Sequence, residues 1–130
     1  MAYAGRMWTK LYVISGSLAG ACGVVLGALT AHGLRTRLDA AAINNLETAS
    51  LYLLVHGLLL VGIAMLVEWF PVATSLRLAG ALVLVGIILF CGGLTGAAIS
   101  GIRPLAAAAP LGGSCLIAGW LALMVFGFTK

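Results

Sequence analysis

Long apolar runs, each bounded by a charged residue, make up most of the chain. Leu11 to Leu34 lies between Lys10 and Arg35 and contains no Asp, Glu, Lys or Arg. Thr48 to Val67 lies between Glu47 and Glu68, Leu78 to Ile102 between Arg77 and Arg103, and Pro104 to Thr129 between Arg103 and Lys130. A hydrocarbon core of about 30 Å takes about 20 helical residues at 1.5 Å each. Each run therefore predicts one crossing, at about 11–33, 47–67, 78–100 and 105–128. Lipid offers no partner to a backbone that leaves its own hydrogen bonds unmade, so the four spans must be helices. Short connections imply an all-α integral membrane bundle, up-down-up-down, as one membrane domain over residues 1–130.

The connections carry matching signals. His32 to Asn45 is the one connection of real length. Asp39 within it is a good N-cap, and the alanines that follow favour helix, so the second helix is expected to start in water or at the interface. Trp69-Phe70-Pro71 reads as a helix end with an aromatic anchor, and Arg103-Pro104 as a tight turn. The first run is too long for a signal-peptide core and shows no small-residue cleavage site, so it is read as a span.

Composition narrows the class further. The chain is 63% hydrophobic and 8% charged, whereas soluble domains average about 25% charged residues. That excludes a water-soluble enzyme, a disordered chain and a disulfide-stapled secreted domain. Seven Lys and Arg against three acids leave a net charge of +4, scattered rather than gathered into a stripe that would bind nucleic acid. The basic residues serve better as orientation markers. Arg6, Lys10, Arg77 and Lys130 fall on one face, and Arg35, Arg37 and Arg103 on the other. This small excess favours cytoplasmic termini in a bacterial inner membrane.

Small residues recur every four positions in the first span: Ser15, Ala19, Gly23, Gly27 and Ala31, with Gly16 and Gly20 on an adjacent ridge. Such ridges let helix backbones approach closely, either within the bundle or against a second chain. Gly92 with Gly96, Gly93 with Ala97, and Ala109 with Gly113 repeat the device, beside Gly112. Cys22, Cys91 and Cys115 lie inside the spans without metal-binding spacing and read as small apolar side chains.

Polar groups inside a membrane are the strongest functional pointers. Thr48, Tyr52 and His56 fall on one stripe of the second span, with Asn45 and Glu47 near one end and His32 closing the first span on the same side. This cluster is either a hydrogen-bonded network that sets helix register or a small polar site for a headgroup, quinone or proton. A haem does not fit. His56 lies nine residues beyond Glu47, roughly 13 Å deeper than the interface where His32 sits. No metal, cofactor or catalytic constellation is expected.

Gly27-Ala28-Leu29-Thr30-Ala31-His32-Gly33-Leu34, then Glu47-Thr48 with Tyr52 and His56, form two ordered motifs. Leu89-Phe90 with Gly92, Gly101, Pro110-Leu111-Gly112-Gly113 and Ala118-Gly119-Trp120 continue the series. In this order the chain resembles the small four-helix membrane proteins known as domain of unknown function 423, which occur in bacteria and have eukaryotic relatives. The resemblance implies a four-span inner-membrane protein and no established activity. Ala109 stands where the family's Thr precedes the Pro-x-Gly-Gly segment, and Cys91-Gly92-Gly93-Leu94-Thr95 replaces a Ser-Gly-Ser-x-Tyr segment. The third and fourth helices have thus lost polar groups, while His32, Glu47, Tyr52 and His56 remain.

The resulting expectation is a non-enzymatic protein that acts by helix packing. It would serve as an accessory or assembly subunit of a larger membrane complex, or as a homo-oligomer, with lipids and membrane chains as partners. The alternative is a small transporter or channel, or a lipid- or quinone-binding protein, working through His32, Glu47, Tyr52 and His56. Glu47 and Glu68 bound their span instead of lying in its middle, which counts against transport.

Overall fold

A computed structural model describes residues 2–130. It contains four long helices: α1 (Ala2–Leu29), α2 (Ala40–Trp69), α3 (Thr74–Ser100) and α4 (Ala108–Phe128). All four are long and apolar enough to cross a membrane. No strand occurs among the described residues.

The helix ends follow from local chemistry. Asp39, in an extended conformation, caps α2 by accepting the Ala42 amide at 2.7 Å, which ties down one of the N–H groups a helix start leaves unpaired. Pro71 cannot continue the ladder, and α2 stops at Trp69 with the Phe70 amide still bonded to Leu66 O at 2.8 Å. Gly101 ends α3 at φ 72°, a left-handed conformation that a Cβ would oppose, and its N–H reaches Ala97 O. Arg103-Pro104 is not a tight turn. It opens a 3-10 helix, Arg103–Ala107, that leads directly into α4, because proline's fixed φ suits a first helical turn. The end of α1 widens into a π turn over Thr30–Leu34.

Within the pairs α1–α2 and α3–α4 the contacts run in opposite chain directions. Gly5 lies against Pro71, Gly16 against Gly57 and Gly23 against Ser50 between α1 and α2. Gly86 meets Leu116, and Gly93 meets Leu105 and Ala109, between α3 and α4. Along the α1–α2 seam Gly16, Gly23 and Gly27 lie close against α2. A Cβ on Gly16 would stand 2.6 Å from Gly57 O, and one on Gly57 would stand 2.7 Å from Gly16 O. Only backbone against backbone fits there. Gly23 and Gly27 pack on Ser50, whose hydroxyl donates to Gly23 O at 2.7 Å across the seam.

The other nominated small residues divide. Gly112 is pressed against the Phe90 backbone, and Gly113 lies near the Phe90 ring. Ala19 is buried and abuts Gly57. Ser15 donates to its own helix at Leu11 O, 2.6 Å away. Gly20 and Gly92 have open space where a Cβ would go, and Gly96 meets only the Leu105 side chain. The glycines of α3 that take close neighbours are instead Gly80, Gly86 and Gly93. Gly92 is one position, about 100° of helix rotation, away from the ridge that faces α4.

The tightest core lies where α2 ends and α3 begins, around Tyr12, Leu60, Ile63, Val67, Leu76 and Val83. Tyr12 is fully buried, its ring against Gly80 and its hydroxyl donating to Arg77 O at 2.5 Å. It pins α1 to α3 at that end. Farther along, a groove of about 430 Å³ separates the two helices, lined by small residues such as Ser15, Ala19 and Gly92 together with Leu18, Ile87 and Ile88, with Leu53 of α2 beside them.

Candidate functional site

Residues four apart on α2 stack along one face, which puts Tyr52 and His56 side by side. Their rings lie 5.3 Å apart at 25°, and Tyr52 also stacks on Phe90 of α3 at 4.5 Å and 28°. His56 is 6% exposed. Its Nδ1 is 3.0 Å from Tyr52 O, and its Nε2 is 3.3 Å from Trp120 Nε1 of α4. A carbonyl only accepts, so Nδ1 carries the hydrogen; an indole N–H only donates, so Nε2 offers its lone pair. These two contacts specify one neutral tautomer, and through it α2 is tied to α4.

The remaining members of the expected cluster are elsewhere. Glu47 Oε1 accepts from Arg35 Nη2 at 2.6 Å, an exposed ion pair between α2 and the connection before it. Thr48 donates to Asn44 O in its own helix at 2.9 Å. His32 is exposed in the π turn. The five residues therefore form no single site. Helical rise separates Glu47 from Tyr52 by about 8 Å and from His56 by about 13 Å, so a shared stripe does not make a shared centre. Phe90 and Trp120, which complete the aromatic group, are both motif residues, but nothing in their spacing pointed to His56.

Beside this group lies a cleft of about 420 Å³ between α2, α3 and α4, lined by Leu51, Tyr52, Val55, His56, Phe90 and Trp120 among others. Its size falls within the usual range of small-molecule sites, about 300–1,000 Å³. The Tyr52 hydroxyl has no hydrogen-bond partner among the described residues. Chemically, the cleft's lining is aromatic and aliphatic, has no charged side chain, and includes Tyr52, the residue with the unpartnered hydroxyl. Among the described residues, no three His, Cys, Asp or Glu side chains gather to hold a metal ion. Cys22, Cys91 and Cys115 are unpaired thiols.

Comparison with known proteins gives a consistent picture. Residues 26–113 match the family described as "Protein of unknown function (DUF423)". The chain is 34% identical over 119 residues to a UPF0382 membrane protein of Staphylococcus saprophyticus, covering 92% of this chain and 98% of that one. It is 36% identical over 119 residues to a UPF0382 membrane protein of Staphylococcus haemolyticus, covering 92% and 96%. With the UPF0382 membrane protein YwdK of Bacillus subtilis it shares 33% over 116 residues, covering 89% and 94%. No solved structure matches the chain.

Proposed function

We propose, on the premise that the chain belongs to the DUF423 family of membrane proteins, that it acts without catalysis by packing against another membrane-embedded chain. It crosses a bacterial cytoplasmic membrane four times, up-down-up-down, with both termini on the cytoplasmic side. Its role is that of an accessory or assembly subunit, or of one copy in a homo-oligomer.

The groove between α1 and α3 carries this reading. Small residues, Ser15, Ala19, Cys22 and Gly92, share its lining with Leu18, Leu84, Ile87 and Ile88, and among the described residues it stays open. In lipid, helices associate through close backbone approach and dispersion, for which such walls are suited. Transport has less support. Glu47 and Glu68 lie near the ends of α2, with partners in Arg35 and Thr9, and Asp39 caps a helix.

Gly92→Leu tests the proposal, because a Cβ at Gly92 has nothing within 4 Å and Gly92 lines the groove, so a bulkier side chain there should obstruct it. Gentle extraction of the native protein followed by mass spectrometry should recover a stoichiometric membrane chain, a second copy included, that the variant loses. Recovery of the native protein as a lone monomer would refute association. A second reading, binding of a lipid-soluble ligand, is favoured by the open cleft beside Tyr52 and His56.

A further inference from the structure

We infer that the cleft between α2, α3 and α4 takes a flat, conjugated carbonyl compound from the bilayer, of the quinone class, with the Tyr52 hydroxyl donating to a carbonyl oxygen. This rests on the ligand-binding reading just given and assigns its chemistry.

Depth selects how the ligand arrives. His56 lies near the middle of the 30-residue α2, about 20 Å from its nearer end at helical rise. The rim residues Leu51, Val55 and Ile117 are exposed on the outside of the bundle. A molecule enters sideways, from among the lipid tails, and must be soluble there.

The lining selects shape and charge. Tyr52, Phe90, His56 and Trp120, packed ring against ring, all line the cleft, so part of its wall is aromatic surface that suits a planar conjugated ring. No Lys or Arg lines the cleft, so nothing there neutralises a phosphate or carboxylate. The hydrogen-bonding inventory selects the functional group. His56 is engaged at both nitrogens, and Trp120 spends its single N–H on His56. What remains is one donor, the Tyr52 hydroxyl. A plain acyl chain would leave that hydroxyl desolvated and unpaired, which is unfavourable. A carbonyl oxygen satisfies it.

The test uses the full chain in phosphatidylcholine nanodiscs, with Trp8→Phe and Trp69→Phe leaving Trp120 as the sole tryptophan. Decylubiquinone is titrated and Trp120 fluorescence quenching is read. Saturable quenching is expected. Tyr52→Phe, which keeps the ring stack, should weaken it about two- to tenfold, the worth of one hydrogen bond. Val55→Phe at the rim should narrow the mouth and remove saturation. Linear quenching of equal slope in all variants would mean partition into the bilayer alone and would overturn the inference. A parallel titration uses dibrominated phosphatidylcholine at low mole fraction. Saturable quenching by it that decylubiquinone does not displace would overturn the carbonyl assignment while leaving ligand binding intact. Absence of saturation with both probes would remove both.

Discussion

Adding one methyl group at Gly57 should loosen the seam between α1 and α2. An alanine Cβ there would stand 2.7 Å from Gly16 O, 2.9 Å from Gly20 N and 3.2 Å from the Ala19 Cβ. Ordinary contact begins near 3.4 Å, and two of these three neighbours are backbone atoms that no rotamer change can move aside. The helices must separate by about 0.7 Å at this point, and a gap of that order forfeits about a quarter to a half of each dispersion contact along the seam. The Ser50 to Gly23 hydrogen bond, 2.7 Å long, crosses the same seam and would stretch. Overpacking of this kind costs about 1–3 kcal/mol. Gly62→Ala is the control, since Gly62 is on the same helix with open space around it and the same gain in helix propensity. Unfolding in mixed micelles of rising SDS fraction, followed by circular dichroism, should place Gly57→Ala well below both the control and the parent. Gly16→Ala should behave like Gly57→Ala, and the double variant should lose less than the sum, because the first methyl already parts the helices. Equal stability of Gly57→Ala and Gly62→Ala would refute the close-packed seam.

Two further outcomes follow from single side chains. Asp39→Ala should destabilise by about 1 kcal/mol and speed amide exchange at Ala42, whose N–H it leaves unpaired; unchanged exchange there would contradict the cap. His56→Ala removes the stack on Tyr52 and strands the Trp120 N–H, so thermal stability should fall by about 1–3 kcal/mol. A variant that melts like the parent yet loses a transport phenotype would reverse the reading of His56 as a structural tie.

Much of the candidate site was visible as residue types and little of it as geometry. Tyr52 and His56 stood out because polar groups are scarce in the spans, and their four-residue spacing placed them together. Glu47, Thr48 and His32 stood out for the same reason, yet Glu47 pairs with Arg35, Thr48 bonds within its own helix and His32 faces outward. The contacts that define the site come from other helices. Phe90 and Trp120 reach Tyr52 and His56 across separations of 38 and 64 residues. Tyr12, which ties α1 to α3 through Arg77 O, gave no signal beyond being an aromatic residue near a span's end.

From its sequence alone this protein is a chain of four membrane-crossing helices with a start at Asp39 and a stop at Pro71, because lipid forbids any spanning backbone that does not bond to itself and because caps act locally; the left-handed end of α3 at Gly101 emerged only in the structure. The small-residue repeat on α1 was legible as a close-packing surface, but whether it would meet a helix of the same chain or a second chain was not. What the tertiary structure decided is which faces meet. In a soluble bundle the apolar stripe of each helix announces the core, but here both the core side and the lipid side are apolar, so polarity marks neither. That is why Gly93 rather than Gly92 meets α4, why Gly57 proved to be the partner of Gly16, and why a groove stays open between α1 and α3. Those choices rest on shape and close packing, which appear only when the helices are assembled.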